Sequence, residues 1–83
     1  MYKIFLLPQA QKDLDSFSGK IFQQLKNKIS SLSNNPRPSG CLKLTAEEGY
    51  RLRSGNYRII YRIDDKEKNV YIYRIKHRKE AYK

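Results

Sequence analysis

The chain has 83 residues, 39% of them hydrophobic, with seven tyrosines and three phenylalanines. That suffices for one modest core and excludes both a chain too polar to fold and one long enough for two domains. Eighteen lysines and arginines against eight acids give a formal charge of +10, a field that draws in polyanions: nucleic acid, an anionic membrane or an acidic protein. A lone Cys41 and a lone His77 exclude an internal disulfide and a closed zinc site. No apolar run reaches signal-peptide or membrane-spanning length, so the expectation is a cytoplasmic protein, residues 1–83 forming a single domain without metal, cofactor or membrane contact.

The opening YKIFLL, residues 2–7, is apolar and aromatic and predicts a buried strand. Pro8 follows at once and suits a first helical turn, where its missing N–H is not needed. Ala10, Leu14 and Phe17 then share one helical face, with Lys12, Asp13 and Asp15 expected in water. Ser18-Gly19 breaks this helix and starts another over 20–33, whose apolar face combines Ile21, Leu25, Ile29 and Leu32, with Phe22 beside them. NNPRPSG, residues 34–40, cannot continue a helix and reads as an ordinary loop. Beyond it come strand formers: CLKL, YRLR, YRIIYRID and VYIYRI. The acids of this half gather at Glu47-Glu48 and in DDKEK, residues 64–68, which leaves the strands between them almost purely cationic.

RLRSGNYRIIYR, Arg51 to Arg62, holds four arginines and no acid. Gly55-Asn56 fits a two-residue hairpin turn, which sets Ser54 opposite Tyr57, Arg53 opposite Arg58 and Arg51 opposite Ile60. Alternation then puts Arg51, Arg53, Arg58, Ile60 and Arg62 on one face and Leu52, Tyr57, Ile59, Tyr61 and Ile63 on the other. Two arginines facing each other are normally destabilising, and an anion between them relieves the repulsion. Arginine rather than lysine fills every basic position here, and its planar fork matches phosphate bidentately. In the final strand Val70, Ile72, Arg74 and Lys76 alternate with Tyr71, Tyr73, Ile75 and His77, so both faces are partly apolar, as in an interior strand or one with a bulge.

The paired stretches RLRSGNYRIIYRIDD and VYIYRIKHRKEAY, with AQKDL in the first helix and the NNPRP loop, resemble the RelE/ParE superfamily of bacterial and archaeal toxins, and its RelE branch of messenger-RNA-cleaving enzymes above all. The resemblance implies an α+β fold in which two N-terminal helices pack on a four-stranded, mainly antiparallel sheet. It implies a type II toxin that cleaves messenger RNA in the ribosomal A site without metal, is silenced by an acidic RelB-like antitoxin, and meets operator DNA only through that complex. Position by position, it assigns Arg58 to phosphate stabilisation, Arg78 to charge stabilisation and the leaving group, and Tyr82 to substrate orientation. Arg51 and Gly49 fall where the best-known member of that branch has two active-site lysines, one of them proposed as general base.

Metal-free RNA cleavage by attack of the 2′-hydroxyl needs a proton acceptor, charge stabilisation and a proton donor. Arg51, Arg53 and Arg58, taken as exposed, suit the second role. For the acceptor His77 ranks first, since histidine titrates near neutrality, followed by Glu47 or Glu48. Lys43, Arg53, Arg62, Lys76 and Lys79 complete the expected RNA contacts. Two rival readings share this composition: a ParE-like gyrase inhibitor on the same fold, and a non-catalytic nucleic-acid-binding module.

Overall fold

A computed structural model describes residues 1–44 and 49–77. The elements run β1 (Lys3–Leu6), α1 (Pro8–Asp15), α2 (Gly19–Ser31), β2 (Cys41–Lys43), β3 (Tyr50–Ser54), β4 (Tyr57–Asp64) and β5 (Asn69–His77). The sheet has five strands, not the expected four, in the order β1-β5-β4-β3-β2. β1 pairs with β5 in parallel and the other neighbours are antiparallel. All five stretches with strand character form strands, the shortest being β2, the CLK edge, whose Cys41 and Leu42 pair with Leu52 and Arg51.

Both helices cover one face of the sheet. Ala10 and Leu14 of α1, then Leu25, Ile29 and Leu32 of α2 and its end, form one buried cluster with Leu52, Ile59, Tyr61, Val70, Ile72 and Ile75. Burying each such side chain contributes about 1.5–3 kcal/mol, so this layer is the core. Pro8 occupies the first turn of α1 as expected. On α2 the inward residues are Phe22, Leu25, Ile29 and Leu32, while Ile21 is 41% exposed. The spacing from Leu25 back to Ile21 fits a helix as well as the spacing to Phe22, and α2 rolls so that the larger aromatic ring is the one covered.

β1 is an edge strand with alternating exposure rather than a buried one. Ile4 and Leu6 pack on the core, whereas Phe5 lies on the other face, 42% exposed and stacked on Tyr71 of β5. The uninterrupted apolar run thus reflects a core side and an aromatic side.

The hairpin between β3 and β4 has the expected register, with Ser54 opposite Tyr57, Arg53 opposite Arg58 and Arg51 opposite Ile60. Gly55 takes φ of +60°, the only left-handed residue of that turn, which suits a turn with glycine first. β5 is both interior and bulged. Ile60 pairs with Arg74 but Tyr61 pairs with Ile72, so Tyr73 is the extra residue. The bulge shifts the parity of the strand, which lets Val70, Ile72 and Ile75 all reach the core.

Asp13, expected in water, anchors that bulge. β1 ends opposite Ile72, so further along β5 the backbone has no strand neighbour on that side. The Asp13 carboxylate accepts the Ile75 N–H at 2.9 Å and Arg74 Nε at 2.8 Å. Burial pushes the Asp13 carboxyl up, but the Arg74 hydrogen bond, the Ile75 N–H and the Arg74 charge outweigh it and hold it below the usual carboxylate range.

Candidate functional site

The face of the sheet away from the helices carries the charge. Arg53 of β3, Arg58 of β4 and Lys76 of β5 lie side by side in one row across three strands. The next row runs Leu42, Arg51, Ile60 and Arg74. Between β2 and the hairpin these rows enclose a cleft of about 280 Å³ lined by Gly40, Leu42, Arg51, Arg53 and Arg58. Three guanidinium groups therefore share one concavity, and among the described residues its lining has no carboxylate.

The three arginines are not equivalent. Arg53 is exposed and donates from Nε to the Gly55 carbonyl at 3.3 Å, which ties its plane to the turn. Arg51 is half-buried. Arg58, expected to be exposed, is the one charged side chain among the buried described residues, at 5% exposure, and its Nη1 lies 3.4 Å from the Tyr57 carbonyl. It sits on the central strand with Arg53 on one side and Lys76 on the other, so its neighbours cover it. A guanidinium held in a concavity and partly shielded from water binds an anion more strongly than one on an open surface.

His77 is not part of this cleft. It pairs with Tyr57, and its ring meets the Tyr57 ring edge-on at 5.3 Å. Tyr57 in turn packs edge-on against Phe17, just beyond α1, at 4.8 Å. His77 thus faces the helices, in a depression lined by Asp13, Ser16, Phe17, Tyr57 and Ile75. The bulge in β5 accounts for this placement, because it sends Ile75 and His77 to the same side as the core. Lys43 pairs with Tyr50 and lines a different hollow of about 200 Å³ with Arg37, Gly49, Arg62 and Asp65, towards the other end of the strands. Arg62 belongs to the open face but stands apart from the cleft, its guanidinium 5.2 Å from the centre of the Tyr71 ring. Arg78, Lys79, Tyr82, Glu47 and Glu48 lie outside the described residues.

Gly49 adopts φ of +135°, and a Cβ there would lie 2.9 Å from the Tyr61 carbonyl oxygen. The backbone thus leaves no room for a side chain at the position where the resemblance sets one of the two lysines of the branch's best-known member. Among the described residues no group of His, Cys, Asp and Glu side chains is arranged to hold a metal ion, and no helix is long and apolar enough to cross a membrane.

A clamp that the sequence did not signal holds the loop after α2. Arg37 donates from both terminal nitrogens to Asp65, at 3.1 and 2.8 Å, and from Nε to the Tyr50 hydroxyl. Tyr2 donates to the same carboxylate at 2.7 Å. These bonds, the Arg37 pair first, pull the Asp65 carboxyl down to about 2 and raise the Arg37 guanidinium above its usual value. Beneath the clamp the Tyr61 hydroxyl, its proton held more tightly by burial, donates to the Pro36 carbonyl at 2.7 Å. The loop so fixed carries Gly40 and β2, the outer wall of the arginine cleft.

A family model described as the ParE toxin of the type II toxin-antitoxin system, parDE, matches residues 4–82. No curated protein matches the sequence. Among solved structures, the chain is similar to one in the RelBE2 toxin-antitoxin complex from Mycobacterium tuberculosis, at 30% identity and a TM-score of 0.82, over 93% of this chain and 98% of that one. It is also similar to one in the archaeal RelE-RelB complex from Pyrococcus horikoshii, at 28% identity and a TM-score of 0.79, over 93% and 94%. The intact RelBE complex from Escherichia coli matches at 25% identity and a TM-score of 0.79, over 93% and 96%.

Proposed function

Because this chain belongs to the RelE/ParE superfamily of toxins from type II toxin-antitoxin systems, we propose that it is an endoribonuclease that cuts messenger RNA in the ribosomal A site and so arrests translation. The observation that carries the reading is the arginine cleft, with Arg58 buried at its centre between Arg53 and Lys76.

In this mechanism a backbone phosphate enters the cleft, and Arg51, Arg53 and Arg58 engage its non-bridging oxygens. Attack by the neighbouring 2′-hydroxyl adds negative charge at phosphorus, and the prearranged guanidinium groups stabilise that charge without reorganising. The bond to the 5′-oxygen then breaks, leaving a 2′,3′-cyclic phosphate and a 5′-hydroxyl. Arginine is a poor proton donor or acceptor near neutrality, so these three residues supply electrostatics and not proton transfer. With His77 on the opposite face and Gly49 unable to carry a side chain, the proton acceptor comes from residues 45–48 or 78–83, or from the ribosome. Arg78 and Tyr82 keep the roles their motif implies.

The partner that silences this activity is an acidic RelB-like antitoxin, as the toxin-antitoxin complexes among the structural relatives suggest. Ile4, Leu6, Leu14, Phe22 and Ile29 line a groove of about 390 Å³ between the helices and β1, apolar surface that an amphipathic segment can bury. Operator DNA is reached through that complex.

One observation favours a second reading. The matching family model is that of a ParE toxin, and a ParE-like gyrase inhibitor would share this fold without needing the arginine cleft. Expression in cells separates the two. Translation arrest with cut messages is expected, whereas blocked replication with intact messages would establish the gyrase reading, and an absence of toxicity would leave only a nucleic-acid-binding module.

A further inference from the structure

On the open face, beyond the bulge, Phe5, Tyr71 and Arg62 stand in register across β1, β5 and β4. The Phe5 and Tyr71 rings are stacked, 5.5 Å apart at 20°, and the Arg62 guanidinium lies 5.2 Å from the Tyr71 ring centre. Arg62 takes part in neither of the described ion pairs, and its buried Nε has no hydrogen-bond partner among the described residues. The guanidinium is thus committed to the ring and not to a carboxylate. Phe5 remains 42% exposed, an aromatic surface at the β1 edge of a cationic sheet face.

We propose that Phe5, Tyr71 and Arg62 form a stacking platform for an unpaired base of the RNA strand whose phosphate occupies the arginine cleft. The inference rests on the ribonuclease reading and extends it to a second contact along the substrate. Arg58 and Arg62 are four residues apart on one strand, which separates cleft and platform by roughly 13 Å at about 3.3 Å per residue. An extended single strand crosses that distance within a few nucleotides. Stacking asks only for a π face, so such a platform grips the strand with little regard to base identity. The planar groups, rather than the charge, argue for RNA over an acidic peptide: the exposed Phe5 ring and the Arg62 guanidinium suit stacking on a base, and Lys3 on the same face suits an adjoining phosphate. Two acids border the site among the described residues: Asp64, opposite Asn69 in the next row, and Asp65, which lines the neighbouring hollow with Arg62 and is paired with Arg37.

The test uses the full chain and a short single-stranded RNA blocked by 2′-O-methyl groups, with 2-aminopurine placed at successive positions. The platform predicts that the protein quenches fluorescence at one position away from the phosphate contact. Phe5→Leu should weaken binding roughly 5- to 150-fold, the span of stacking one base, and abolish that quenching, while Phe5→Trp retains both. Wild-type binding and quenching by Phe5→Leu would overturn the platform, whether or not its melting temperature falls, and so would loss confined to an acidic helical peptide. Arg53→Ala separates the two claims. If it weakens RNA binding while Phe5→Leu does not, only the platform fails; if neither variant has an effect, the ribonuclease reading fails with it.

Discussion

Arg58 concentrates the chemistry and the strain of this fold in one side chain. It is buried, directly opposite Arg53 and beside Lys76, an arrangement that like-charge repulsion disfavours. A bound phosphate converts that repulsion into affinity. Arg58→Ala should therefore lower cleavage by about 10²–10³-fold, the usual effect of removing one preorganised charge-stabilising donor. Arg58→Lys should recover only part of it, since the bidentate fork is lost. Rates on ribosome-bound message check both variants. His77→Gln is the informative contrast. Its ring packs against Tyr57 on the helix side, so cleavage should stay within a few-fold of wild type. The pattern RLRSGNYRIIYR made the hairpin register and the paired arginines legible, because turn chemistry and alternation are local rules. The burial of Arg58 was not legible, because it depends on neighbours from β3 and β5 closing around it.

At the scale of elements, β5 shows how a local rule fails for a tertiary reason. Strict alternation groups Ile75 and His77 against Val70 and Ile72, whereas the extra residue Tyr73 brings all four to the helix side. The two-sided apolar pattern of VYIYRI indicated an interior or bulged strand but not the position of the bulge. That position is held by Asp13, sixty-two residues away from Ile75 in sequence. Asp13→Ala leaves Arg74 and the Ile75 N–H without that partner, and should destabilise the fold by about 1–3 kcal/mol in urea unfolding. The Arg37–Asp65 clamp was equally hidden, since it joins a loop to a turn. Asp65 has a folded value of about 2 against an ordinary 3.8. A depressed carboxylate stabilises the fold fully above the ordinary value, and that contribution is lost as pH falls through the folded one. Wild-type protein should therefore lose stability more steeply than Asp65→Asn between about pH 4 and pH 2. Parallel acid limbs in thermal melts would contradict the clamp.

Across the whole molecule, the helices cover one face of the sheet and the opposite face gathers arginines and aromatic rings. The charge of +10 speeds capture of a polyanion but does not choose among polyanions. Each phosphate neutralised on single-stranded RNA should add about −0.7 to the slope of the logarithm of the binding constant against the logarithm of salt concentration, so the one phosphate in the cleft accounts for about −0.7 and contacts along the rest of the strand steepen it. Arg53→Ala, which leaves Arg51 and Arg58 in the cleft, should weaken binding while flattening that slope by no more than about 0.7. The measurement that bears most directly on the ribonuclease assignment is a purified translation reaction on a defined message, mapped at nucleotide resolution, beside a gyrase supercoiling assay with the same protein. A cut within the A-site codon ending in a 2′,3′-cyclic phosphate, with supercoiling unaffected, is the predicted result, and an intact message with gyrase inhibited is the result that would contradict it.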